Sequence, residues 1–316
     1  MRLAPKLVPA LIVVLLASCS SPGVKPETTR LAAWTTQLRD SQPEEAFAAV
    51  YSLGEAQLIF VGALHENQSD SATFRMINDA YSGFEVDVVI AEGYPTSKGA
   101  NPPRLMEYAR EEARNGYQEG GESVPTIAGA VQEGAQVWGG EPDDIEIKLQ
   151  VLGRGFSEED VLGYYILRVI PQWIRERRID HAGDERLQGL VDQELPRARG
   201  ALALESAALP DFAAWASWYQ ATNSKPIAAD FATEEVGPLQ NGSFRSNKIA
   251  AEVSRARDVF LHELVIGHLQ AGNTVLVVFG GSHLMIQRPA LDAALGLPCY
   301  TGPDLKDAPA RCRRRN

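Results

Sequence analysis

The sequence predicts an α/β fold, a mainly parallel central sheet flanked by helices and carrying a large helical insertion, and three observations predict it. Short β-rich runs recur along the chain, each ending in Gly or a polar residue and each followed by helix-type sequence. One of them, Val275-Leu276-Val277-Val278-Phe279, is apolar without alternation, as a strand covered on both faces by helices should be. Between about residues 102 and 223, helical patterns dominate around a single strand candidate.

Taken in order, the strand candidates are 57–61, 87–91, 135–138, 226–229 and 274–279. Ser157-Glu158-Glu159-Asp160 reads as a capping box, in which a Ser side chain and an acidic side chain three residues on each satisfy the other's free backbone N–H. It opens an apolar stretch, 161–174, that Arg168 and Pro171 interrupt, so that stretch reads as a buried helix. The clearest helical pattern, 252–270, stops at Ala271-Gly272, where Gly supplies the left-handed conformation that ends a helix. No internal repeat or low-complexity tract is evident.

The ends carry a different signal. Arg2 and Lys6 precede an apolar run, 7–17, that is too short to span a bilayer and reads as a signal peptide. Leu16-Ala17-Ser18-Cys19 resembles the lipobox of bacterial lipoproteins, in which the Cys is lipidated and the bond before it is cut. The resemblance implies a signal peptide over 1–18 and a lipidated Cys19 opening a tether over 19–27; the rest, 28–316, reads as one α/β domain with its helical insertion near 102–223. Ser20 follows the Cys, where Asp would mark inner-membrane retention, so the expected place is the outer membrane, facing the periplasm. The segment 20–27 holds Pro22, Gly23 and Pro26 without apolar periodicity, as a tether does. Cys299 and Cys312 fit a disulfide in an oxidising compartment, with two free thiols as the alternative. The net charge of −11 argues against nucleic acid as a partner. Oligomeric state has no signature in the sequence.

In open parallel sheets ligands sit beyond the carboxyl ends of the strands, so the residues just after each strand candidate matter most. They are Gly62-Ala63-Leu64-His65, Glu92-Gly93, Gly139-Gly140-Glu141, Asp230 and Gly280-Gly281-Ser282-His283. Two His and up to three carboxylates would thus meet at one sheet edge. Arg257 joins them by geometry. It shares the apolar stripe of its helix with Val253, Phe260, Leu261 and Leu264, where a cation needs a partner. A helix rising roughly 21 Å to Ala271, at about 1.5 Å per residue, and a strand returning roughly 20 Å bring Arg257 level with His283. Each residue also has a structural reading: Glu92 and Glu141 as first-turn helix residues, Asp230 likewise, and each His as a hydrogen-bonded strand end. His262 and His268 are six apart on one helix and face different ways; His181 follows a basic surface-like run. Ser nucleophile elbows, P-loops and dinucleotide fingerprints are missing from the sequence.

The ordered set of two Gly-x-x-His motifs, 62–65 and 280–283, with Glu92 between them and Arg257-Asp258 ahead of the last strand, resembles the Tiki/TraB family. That family sits in a wider superfamily with erythromycin esterases and ChaN-type haem-binding lipoproteins. The resemblance implies a catalytic core of His65, Glu92 and His283 with Arg257 as the charge-stabilising partner. It implies a divalent metal on His65, Glu92, His283 and Glu141, and hydrolysis of a small-molecule or peptide substrate. The alternative it leaves is a non-catalytic lipoprotein binding haem or another small ligand. The erythromycin esterases and ChaN-type proteins place a Glu inside the first motif, where this chain has Ala63 and Leu64, and that departure favours the Tiki-like reading.

Overall fold

The computed structural model describes residues 24–116, 120–205 and 207–313, so the expected signal peptide and Cys19 lie outside the described residues. Six strands form one sheet: β1 (Phe47–Leu53), β2 (Ala56–Ala63), β3 (Val88–Pro95), β4 (Gln136–Glu141), β5 (Val275–Gly280) and β6 (Tyr300–Gly302). Their order across the sheet is β4-β3-β5-β2-β1-β6. The four strands β4, β3, β5 and β2 run parallel, while β1 pairs antiparallel with both β2 and β6. The fold is α/β, as the sequence predicts.

The helices follow in chain order as α1 (Thr36–Asp40), α2 (Ala72–Gly83), α3 (Pro103–Asn115), α4 (Ser123–Glu133), α5 (Asp144–Leu152) and α6 (Glu158–Leu167). Then come α7 (Ile170–Arg175), α8 (Leu187–Ala201), α9 (Phe212–Asn223), α10 (Arg245–Gln270), α11 (Gly281–Leu295) and α12 (Ala308–Arg313). The alternation of side chains along β5 decides which helices cover which face. Leu276 and Val278 pack with Met76 and Ile77 of α2 and Ile127 of α4. Val275, Val277 and Phe279 pack instead with Leu261 and Val265 of α10 and Leu284 of α11. Burial of each such side chain is worth about 1.5–3 kcal/mol, which is why an unbroken apolar run sits in the middle of the sheet.

A third core belongs to the helical stretch. Residues of α5 to α9, with Trp215 and Tyr219 fully buried, close against Ile249, Val253 and Ala256 on α10. Ser157 accepts from the N–H of Asp160 and the Asp160 carboxylate accepts from the N–H of Ser157, so α6 opens with the expected capping box. Asp160 also receives Arg245 and the Trp218 indole, which fastens α6 to α10 and α9.

Two expectations fail. The run 226–229 is irregular chain leading into a turn; its Pro226 lacks a ladder donor, and Ile227 packs against the helical core instead of a neighbouring strand. Asp230 accordingly lies exposed, 4.0 Å from Lys225 and away from any strand end. Conversely, β1 and β6 lie outside the expected strand runs: Ala48 and Ala49 dilute the strand preference of Phe47, Val50 and Tyr51, and three-residue β6 is too short to show a period. The Cys299–Cys312 disulfide is formed and ties α12 to the segment leading into β6.

Candidate functional site at the carboxyl rim of the sheet

Four adjacent parallel strands end on the same rim, and each delivers one polar side chain. Across the sheet these are Glu141 from β4, Glu92 from β3, His283 just after β5 and His65 just after β2. Their placement depends on an irregularity in β3. Ala91 pairs with Gly139, but the next pairing is Pro95 with Glu141, so the chain between them bulges out of register. Such a bulge re-aims side chains at a sheet rim, and here it carries Glu92. The bulge needs Gly93 at φ +86° and needs Gly139 opposite, where a Cβ would lie 2.1 Å from the Tyr94 carbonyl oxygen.

Arg257 holds the two carboxylates in place. Its Nε and one terminal nitrogen each donate to Glu141 at 2.5 Å, and the same terminal nitrogen donates to Glu92 at 3.1 Å. This forked contact takes both oxygens of Glu141. Glu141 also accepts from the N–H of Gly93 at 3.3 Å. Glu92 receives the backbone N–H of Gly280 at 2.7 Å, the donor at the opening of α11.

Two His–carboxylate pairs flank Glu92. His65 Nδ1 lies 2.7 Å from Glu122, at the start of α4, and the His65 side chain is 70% exposed. Its Nε2 lies close to Gly280, where a Cβ would come within 3.2 Å of it. On the other side the buried His283 places Nδ1 2.8 Å from Asp258, and its Nε2 faces Glu92 at 3.6 Å. One donor atom from each of His65, Glu92 and Glu122 lies within 4.8 Å of the others, a set able to hold a metal ion.

The charges are mutually dependent. The hydrogen bond to Glu122 pushes the His65 ring above its ordinary pKa. Burial pushes His283 down, but the charge and hydrogen bond of Asp258 outweigh it and the net shift is upward. Burial pushes Glu92 up, yet His283 and then Arg257 hold its carboxyl below the ordinary value. Burial disfavours the Arg257 cation, and Glu141 more than restores it. Opposite charges within a few ångströms therefore set the direction of each of these shifts.

The structure thus brings His65, Glu92, His283, Glu141 and Arg257 to one place, but it divides them differently from the expected metal set. Glu141 is taken up by Arg257, His283 is held by Asp258, and the third donor beside His65 and Glu92 is Glu122. Glu122 follows no strand, so the strand-end rule does not reach it. Its only signal is the Gly120-Gly121-Glu122 sequence opening a helix, which parallels Gly139-Gly140-Glu141. A polar cleft of about 390 Å³ adjoins the rim, lined in part by Glu141, Asp143, Asp144, Arg168 and Arg257. No family model, no curated protein and no solved structure matches the chain.

Proposed function

We propose that this rim is a hydrolytic site that holds a divalent cation on His65, Glu92 and Glu122 and acts on a polar small-molecule or peptide substrate entering through the adjoining cleft. The observation that carries the proposal is the clustering of one imidazole and two carboxylate donors within 4.8 Å, open to solvent on the His65 side. One nitrogen and two oxygens suit a borderline or hard divalent ion, and an incomplete protein shell leaves room for water or substrate. When bound, such an ion supplies Lewis acidity and a more acidic water.

The chain's own groups then have distinct tasks. Asp258 keeps the Nδ1–H of His283 directed inward, so Nε2 faces the reacting region and takes or returns a proton there. Arg257 orients Glu92 and Glu141 and places positive charge where oxyanion charge develops. The charged lining of the cleft favours a polar ligand over the haem of the alternative reading. The Tiki/TraB resemblance and the placement as a Cys19-anchored envelope lipoprotein belong to this proposal as well; the Cys299–Cys312 disulfide supports an oxidising compartment.

A second reading follows from the 2.7 Å contact between His65 and Glu122, which by itself forms a His–carboxylate general base needing no metal. Hydrolysis of ester and peptide panels by the full chain, with and without chelation, separates the two readings. Under the main proposal chelation abolishes turnover, and Glu122→Gln and His283→Gln each reduce it by about a hundredfold or more. Chelator-resistant turnover lost in His65→Ala selects the metal-free base, and turnover unchanged in all three variants removes both.

A further inference from the structure

His262 is the one histidine with no exposed surface, and the chemistry above gives it no task. It sits in the middle of α10, one turn beyond Asp258, and a line of hydrogen bonds passes through it. The backbone N–H of Glu27 donates to His262 Nε2 at 3.1 Å. A backbone N–H can only donate, so Nε2 carries the lone pair and the ring proton is on Nδ1. Nδ1 faces Gln287 Oε1 at 3.0 Å. The Gln287 amide nitrogen then faces two acceptors, the Asp258 carbonyl at 2.7 Å and the Asp258 carboxylate at 3.3 Å. Only the NH2 end of the amide satisfies two oxygens, which settles its orientation. The same Asp258 oxygen accepts from His283 Nδ1 at 2.8 Å, and Ser254 steadies the other oxygen at 3.3 Å.

We infer that His262 and Gln287 are positioning residues, a buried relay anchored on the N-terminal segment that fixes the Asp258 carboxylate and through it the proton on Nδ1 of His283, leaving Nε2 turned toward Glu92. The inference rests on the hydrolytic reading for its consequence, though not for its geometry. His262 and Gln287 are each no more than 1% exposed, so water cannot replace a missing partner between them cheaply. The N-terminal segment is itself fastened over the relay. Val24 receives the Gln270 amide, the N–H of Ala32 donates to Ile286 at 2.9 Å, and Leu31 packs on Ile286 and Ala290. A small cavity of about 140 Å³ is lined by Leu31 and Trp34 of that segment and by Ser254 and Asp258 of α10, so the segment borders the Asp258 end of the relay as well. Burial holds His262 below its ordinary pKa, with Gln287 opposing in part, in keeping with a neutral ring.

The test uses the full chain with His262→Phe, which keeps a ring and loses both hydrogen bonds, His262→Asn, which keeps a donor toward Gln287, and Gln287→Met, which keeps length and loses the amide. Nitrogen-15 spectra of the histidine rings, recorded in alkaline buffer where the rings are neutral, report which nitrogen of His283 bears the proton. Wild type is expected to hold the Nδ1–H form at both His262 and His283. The Phe and Met variants are expected to show a mixture at His283, with kcat lowered about tenfold and KM changed by no more than about twofold, and Asn to restore both spectrum and kcat. A folded His262→Phe or Gln287→Met protein with a wild-type His283 spectrum overturns the relay. If wild type turns over no substrate, the hydrolytic reading falls while the spectra still decide the relay, and Gln287→Met alone decides it if the Phe variant does not fold.

Discussion

Replacing Arg257 with Gln tests how the rim is held together. The guanidinium makes two 2.5 Å contacts to Glu141 and one of 3.1 Å to Glu92. The side chains are 25% exposed for Arg257, 11% for Glu141 and 17% for Glu92. Breaking a buried pair from one side costs about 3–5 kcal/mol, because the remaining charge keeps its desolvation penalty without its partner. A quarter-exposed cation allows water some access, which puts Arg257→Gln at the lower end, about 3 kcal/mol. The loss should depend on the carboxylate left behind. In the double variant Arg257→Gln/Glu141→Gln the stranded charge is gone, and the total should fall short of the sum of the single losses by about 1–3 kcal/mol. Urea unfolding of the full chain at neutral pH measures all three. Acid adds a signed check: the folded pKa of Glu92 is depressed, so its contribution is fully present above the ordinary 4.5 and is lost as pH falls through the folded value. Arg257→Gln removes one cause of that depression and should flatten the acid decline. A single-variant loss below about 1 kcal/mol, or strict additivity in the double, would refute the reasoning.

Other consequences follow from single contacts. Gly139→Ala drives a Cβ to within 2.1 Å of the Tyr94 carbonyl oxygen, which backbone cannot swing away from, so a loss of about 3 kcal/mol is expected by thermal unfolding; an unchanged Tm would mean the bulge is not rigid. Cys299→Ser/Cys312→Ser opens a loop whose ends are 13 apart in sequence, a loss of about 3 kcal/mol on loop entropy alone, read from unfolding with and without reductant. Asp258→Asn bears on pH. The folded pKa of His283 is raised, so its contribution is fully present below 6.5 and is lost as pH rises through the folded value. The stability gap between wild type and Asp258→Asn should therefore be wider below pH 6.5 than well above it, and a gap independent of pH would show that Asp258 does not govern the His283 charge.

The rim was readable in sequence where a strong local rule applied. An apolar run ending in Gly and then a polar residue marks the carboxyl end of a buried parallel strand, and this located His65, Glu92, Glu141 and His283. Counting rise per residue along a helix and back along a strand put Arg257 at the same level, where it meets Glu92 and Glu141. What was not readable depended on long-range placement. Glu122 reaches the rim from the start of α4, and no periodicity announces a helix that docks beside a strand end. Asp258 follows Arg257 directly, but one step along a helix turns it toward α11 and His283 while Arg257 faces the carboxylates. The run at 226–229 shows the opposite error: local composition suggested a strand, and the nearby helical core claimed its apolar residue. Strand β1 is faint in sequence because its two alanines dilute the preference of Phe47, Val50 and Tyr51, while pairing with β2 and β6 fixes it in the sheet.

The central claim, that His65, Glu92 and Glu122 together hold a divalent ion, is most directly tested by metal stoichiometry on the full chain. Elemental analysis after purification, and titration calorimetry with zinc and manganese, should give one ion per chain, lost or greatly weakened in His65→Ala and Glu122→Gln. Glu141→Gln should keep it, since that carboxylate belongs to Arg257. Absence of binding by wild type, or equal binding by all the variants, would contradict the account.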